Sequence, residues 1–337
     1  MRTVLITGTA GFIGFHLAQC LLATGFRVVG YDGLTDYYDM RLKERRHASL
    51  KQHEHFSAVE AMLEDSERLM SFAREAAPDI IVHLAAQAGV RYSLDNPRAY
   101  IEANVVGTFN VMEVARELAV DHLMMASTSS VYGANSEMPF AEVDKADTQM
   151  TIYAATKKAN EAMGHAYAHL HDLPVTMFRF FTVYGPWGRP DMALFKFTRG
   201  ILEGEPIDVY NHGEMWRDFT YIDDLVEGIR LLMDVPPARP ALAEDIREGD
   251  TLSPVAPYRV VNIGNSEKVR LLDFIDAIEA ATGREAVRNY MDIQPGDVPA
   301  TWANADLLHA LTGYRPQTNV RDGVAKFVAW YRDYYQV

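Results

Sequence analysis

Five short runs of nearly continuous apolar residues mark the first 180 positions: Val4–Thr7, Arg27–Tyr31, Ile80–Leu84, His122–Ser127 and Val175–Phe180. Runs of this length, rich in β-branched residues, predict strands buried on both faces. Between them, apolar residues recur at helical spacing over 12–23, 66–76, 97–118 and 152–171. Strand and helix in alternation predict an α/β fold, a doubly wound parallel sheet covered by helices on both sides. After Phe181 the pattern changes: predicted helices shorten and turn residues cluster, as in Tyr184-Gly185-Pro186-Trp187-Gly188-Arg189-Pro190. We therefore expect one domain over 1–180 and a smaller α/β domain built mainly from 181–337, with some segments returning to the first sheet. A Pro-rich stretch, 235–257, reads as a long loop, and a surface insertion is favoured over a lid. Helical patterns at 271–283 and 321–335 close the chain.

Composition narrows the classes. At 337 residues and 48% hydrophobic, the chain buries a large core. A net charge of −14 excludes nucleic acid as the main partner. The one basic run, Arg41-Leu42-Lys43-Glu44-Arg45-Arg46, reads as a solvated helix face. Cys20 is the sole cysteine; no intrachain disulfide is possible, and it reads as a buried apolar filler. No apolar run reaches membrane-spanning length and no leader pattern precedes the first strand, so a cytoplasmic protein without membrane attachment is expected. His165 and His169 have metal-ligand spacing on a helix, but no further ligand accompanies them. A solvated or interface face is favoured, and no metal is expected.

The first strand runs into Gly8-Thr9-Ala10-Gly11-Phe12-Ile13-Gly14 and then a helix. Strand, glycine turn and helix in that order form a dinucleotide site. Gly8 permits the turn, Gly11 admits a pyrophosphate, and Gly14 lets the helix pack close. Phe12 and Ile13 open the helix, whose free amides and dipole favour anions. Asp32 ends the second strand, where a carboxylate accepts from ribose hydroxyls and repels a 2′-phosphate, favouring NAD over NADP. Farther on, Tyr153 and Lys157 lie four apart on one helix, after Thr128 at a strand end. A phenol titrates near ~10; an ammonium beside it is expected to lower that value and make it a general base.

These residues, with His83-Leu84-Ala85-Ala86 and Asn104, resemble the extended short-chain dehydrogenase/reductases. The run from Arg179 to Leu194, with Asp36-Tyr37-Tyr38-Asp39 and Ala88-Gly89-Val90-Arg91-Tyr92-Ser93-Leu94, resembles the UDP-glucuronate 4-epimerase subgroup. The resemblance covers Val4 to Tyr334. It implies a Rossmann-type domain that keeps NAD bound, with Leu84, Ala85, Ala86 and Asn104 on the cofactor. Tyr153, helped by Thr128 and Lys157, takes the sugar 4-hydroxyl proton; hydride leaves C4, the 4-keto sugar rotates, and hydride returns to its other face.

Related dehydratases carry Asp-Glu after the threonine, and decarboxylases a Glu at the second place. Here Ser129 and Ser130 stand there, hydroxyls that donate to a carboxylate without doing acid–base work. We infer that they and Thr182 hold the C5 carboxylate. By family match Arg217 clamps the diphosphate, Arg189 reaches substrate, Tyr210 lies against uracil, and Asp297 accepts from the uridine ribose. Arg91 lines the cleft. Met62 stands where the family has an acid near adenine, and Gln294 where galactose-type epimerases carry an Arg. The two-helix pattern at 97–118 and 152–171 implies a homodimer in such relatives. The alternatives are an epimerase of neutral UDP-sugars, a UDP-sugar dehydratase or decarboxylase, and a non-catalytic NAD(H)-binding regulator.

Overall fold

In the computed structural model, described for residues 1–294 and 296–337, seven parallel strands form the central sheet. They are β1 (Thr3–Thr7), β2 (Arg27–Asp32), β3 (Phe56–Glu60), β4 (Ile80–His83), β5 (His122–Thr128), β6 (Val175–Phe180) and Tyr258–Ile263. Their spatial order is Tyr258–Ile263, β6, β5, β4, β1, β2, β3. The chain direction of build-up reverses between β1 and β4, so ligands are expected beyond the carboxyl ends of those strands. Along β1, Val4 and Ile6 join the core on one face, and Leu5 joins the core on the other. All three are fully buried. Period-two alternation with both faces apolar makes this a sandwiched strand.

The predicted helices appear as α1 (Phe12–Ala23), α3 (Ser66–Ala76), Ile152–His171, Leu271–Thr282 and Val320–Tyr335. Local caps start several of them: Asp65 accepts from the Arg68 amide and Thr151 from the Ala154 amide. Two elements carried little sequence signal. Helix α2 (Met40–Leu50) is strongly polar, and β3 is an edge strand with only one buried residue. The expected helix 97–118 is interrupted. Pro97–Tyr100 and Gly107–Leu118 flank a π-helical turn, Ile101–Val106. The extra residue in that turn aims buried Asn104 at the loop after β4, where its Oδ1 accepts from the Gln87 amide at 2.8 Å.

Three readings of side chains change. The basic run is a solvated face only in part: Arg41, Glu44 and Arg45 are exposed, but Lys43 and Arg46 are not. Arg46 is fully buried and Lys43 nearly so, because carbonyls of neighbouring loops accept from both. Cys20 is half-buried. His165 and His169 carry the Pro-rich insertion, through Ser253 Oγ at 2.8 Å and the Val255 carbonyl at 2.8 Å. No residue of 235–257 lines the main cleft. No helix among the described residues is long and apolar enough to cross a membrane.

Candidate active site

The carboxyl ends of β1, β2 and β4 converge on the glycine turn. Gly8 has φ +83°, a left-handed conformation that favours glycine. A Cβ there would lie 2.8 Å from the Ala85 nitrogen, and one on Gly14 would lie 2.1 Å from the Gly8 carbonyl oxygen. The turn thus packs against the Leu84–Ala86 loop at a distance no side chain permits. Gly11 caps α1 without any side-chain acceptor, so the Phe12 and Ile13 amides face outward for an anion. Asp32 accepts from the Ala10 and Leu34 amides, both at 2.8 Å, fixing its carboxylate beside the turn. These features fit a dinucleotide pyrophosphate and ribose.

Beneath the turn, Thr7 Oγ1 and His83 Nδ1 are 2.7 Å apart, and His83 Nε2 and Thr108 Oγ1 are 2.9 Å apart. Burial holds the His83 pKa down at about 3. The Leu84 and Ala85 amides donate to Thr7 Oγ1, so Thr7 donates to Nδ1 and neutral His83 donates from Nε2. The Asn104 side-chain amide is engaged within the protein: its Oδ1 accepts from the Gln87 amide, and its Nδ2 donates to the Gln87 carbonyl and to Thr156 Oγ1 at 3.2 Å.

A cleft of about 710 Å³ runs past Thr128, at the carboxyl end of β5. Thr128, Ser129, Ser130, Tyr153, Thr182, Arg189, Arg91, Tyr210, Arg217 and Asp297 all line it. Residues scattered over 200 positions are therefore brought to one cavity. Ser129–Tyr132 forms a 3₁₀ turn capped by Thr128, whose Oγ1 accepts from the Ser130 amide at 3.2 Å. Both serines line the cleft, with Ser130 Oγ accepting from Thr128 Oγ1 at 3.3 Å.

One electrostatic expectation fails. Burial raises the Tyr153 pKa, while the Thr128 hydroxyl and the Arg189 charge pull it down. Lys157 does not offset that burial, and its Nζ donates to the Ala126 carbonyl at 2.8 Å. Burial lowers Lys157 itself to about 8, leaving it mostly protonated at neutral pH.

The cations divide by partner. Arg189 forms a bidentate pair with Asp191, at 3.0 and 2.5 Å, and Asp191 also accepts from the Tyr37 hydroxyl. Arg217 donates to the Trp216 carbonyl at 2.8 Å and the Val298 carbonyl at 2.7 Å. Asp218 is not its partner; that carboxylate accepts from the Asn265, Ser266 and Ala303 amides. Arg217 is therefore a desolvated cation on neutral acceptors, suited to phosphate oxygens. Arg91 pairs with Asp297 at 2.7 Å and lies 4.5 Å over the Tyr210 ring. Sequence reasoning met Asp191, Tyr37 and His83 inside runs that carry the resemblance, but gave none of them a role. Nothing in local spacing marks residues that act through a partner elsewhere in the chain.

Residues 4–245 match the model of the NAD dependent epimerase/dehydratase family. The chain belongs to that family. Its relatives in the family include a protein of Rhizobium meliloti (strain 1021) named "Probable UDP-glucuronate 4-epimerase", 58% identical over 98% of this chain and 97% of that one. UDP-glucuronate 4-epimerase 1 of Arabidopsis thaliana is 42% identical over 99% of this chain and 77% of its own. Among solved structures, UDP-glucuronic acid 4-epimerase of Bacillus cereus, in complex with UDP-glucuronic acid and NAD, superposes with a TM-score of 0.88. It is 30% identical and the match covers 99% of this chain and 100% of that one.

Proposed function

We propose that this epimerase/dehydratase-family chain interconverts UDP-glucuronate and UDP-galacturonate, oxidising C4 transiently and returning hydride to the opposite face. The observation that carries it is the pair of hydroxyls, Ser129 and Ser130, in the cleft directly after Thr128, together with relatives bearing the name of that activity. When bound, NAD supplies the hydride chemistry. The turn shaped by Gly8, Gly11 and Gly14 would receive its phosphates on the Phe12 and Ile13 amides, and Asp32 would accept from its ribose. Tyr153 moves the proton of the sugar 4-hydroxyl, with Thr128 donating to the phenolate and Lys157 keeping a positive charge behind the site. Ser129, Ser130 and Thr182 donate to the C5 carboxylate.

Arg217 binds the diphosphate, Tyr210 and Asp297 receive the nucleoside, and Arg189, bound to Asp191, orders the cleft floor. The acids lining the cleft are Asp191, Glu205, Asp208 and Asp297. Asp191 is the one tied to Arg189, whose charge helps lower its pKa against the effect of burial, so it stays ionised and is no proton donor for elimination.

The test is the product spectrum from UDP-glucuronate without added NAD. UDP-galacturonate as the main product supports the reading. A pentose or 4-keto-6-deoxy product, or turnover confined to UDP-glucose, rejects it. Tyr153→Phe should lose kcat by about 10²–10⁴-fold and keep its NAD; unchanged function would point to a non-catalytic regulator.

We also propose a cytoplasmic homodimer. Support comes from the exposed apolar residues Val106, Phe109 and Leu170 on the flanking helices. Sedimentation should give a dimer, and Phe109→Asp should shift it toward monomer.

A further inference from the structure

Arg46, on the last turns of α2, is the largest fully buried side chain among the described residues. Its Nη1 donates to the Ala10 carbonyl inside the glycine turn at 2.9 Å and to the Tyr38 hydroxyl at 2.8 Å. Its Nη2 donates to the Trp187 carbonyl at 2.5 Å and the Gly188 carbonyl at 3.3 Å. All four acceptors are neutral, and buried Nε has no partner among the described residues. A guanidinium removed from water without a carboxylate costs several kcal/mol. A strut between two loops does not need that charge.

What the two arms of this fork reach explains its place. One arm holds the turn that receives the cofactor pyrophosphate. The other holds the segment that delivers Arg189 to the cleft. Trp187 has φ +59°, a conformation a bulky residue adopts only when its surroundings impose it. Its ring lies 5.5 Å from Phe15 of α1 and 5.5 Å from Trp330. His16 of α1 meets the preceding carbonyl, Pro186, with its Nε2 at 3.0 Å. Three successive carbonyls before Arg189 are thus held by the two helices that follow β1 and β2.

We propose that Arg46 is a positioning residue that couples occupancy of the dinucleotide turn to the placement of Arg189, so that cofactor and UDP-sugar strengthen each other's binding. The proposal rests on the assignment of the turn to NAD and of the cleft to a UDP-sugar. An anion at the α1 N-terminus favours the buried cation at its observed position, and the fork then fixes Trp187 and Gly188. By linkage the reverse holds: a diphosphate ordering the Arg189 segment retains the cofactor.

The test uses the purified holoenzyme and UDP alone. Exchange of bound NAD for added NADH is followed by NADH fluorescence, with and without saturating UDP. In the natural protein UDP should slow exchange about tenfold. Arg46→Lys keeps the charge, but one ammonium cannot span both loops; there the effect of UDP should fall below about twofold. Arg46→Met should also lose the coupling, and if it fails to fold, Arg46→Lys decides. A natural protein with no UDP effect, or an Arg46→Lys protein retaining it, overturns the proposal, whatever happens to Tm. Because UDP is not turned over, the result is independent of which sugar is epimerised.

Discussion

At Ser130 the choice between epimerisation and fragmentation comes down to one functional group. A C4 ketone beside a C5 carboxylate is a β-keto acid, prone to lose carbon dioxide once its carboxylate is drawn from its donors. Hydroxyls at 129 and 130 offer donors and no base. Ser130→Glu should therefore divert turnover toward a UDP-pentose, read by NMR of the products; an unchanged product ratio would remove the serines from that role. Arg217 lies at the other end of the sugar nucleotide. Arg217→Ala removes charge-assisted hydrogen bonds of about 1.5–3 kcal/mol, so KM for UDP-glucuronate should rise about 10–100-fold with kcat little altered. Both residues stood out in the sequence because they fall inside short runs with distinctive chemistry. Asp191, the partner of Arg189, lay in such a run as well, but its pairing became visible only with the fold.

At the scale of elements, the cofactor turn depends on backbone contact. A methyl at Gly14 would lie 2.1 Å from the Gly8 carbonyl oxygen, and backbone cannot yield as a flexible side chain does. Gly14→Ala should purify with little or no NAD, measured as the nucleotide released on denaturation. The strand–turn–helix order was legible because glycine spacing is local. The π-helical turn at Ile101–Val106 was not. Its sequence reads as ordinary helix, and the register shift is imposed by Asn104 meeting the main chain of Gln87. Helix α2 was half legible: its basic run marked a helix, but the burial of Arg46 depends on loops 36 and 141 residues away.

Across the whole molecule, buried acids fasten the later half to the central sheet. Glu142 accepts from the Asn262 amide at 2.8 Å in the sheet's last strand, and burial raises its pKa to about 7. A carboxyl raised in the folded state stays protonated there after the unfolded chain has lost its proton. Its contribution to stability is therefore full below pH 4.5 and falls as pH rises from 4.5 to about 7. Glu142→Gln should remove that decline, seen as a difference from the natural protein in urea unfolding across the window; parallel curves would refute it.

Periodicity, glycine spacing and a few charged or hydroxyl side chains determined the parallel sheet and the strand–turn–helix of the glycine motif, and picked out residues that line one cleft. Those signals are local, each contained within one or two turns of chain. Only the tertiary structure decided which groups neutralise or desolvate one another. It set Lys157 on the Ala126 carbonyl, Arg189 on Asp191, Arg91 on Asp297 and Arg46 between two loops. Burial and charge pairing are sums over segments distant in sequence, so they acquire values only when the sheet has brought those segments together.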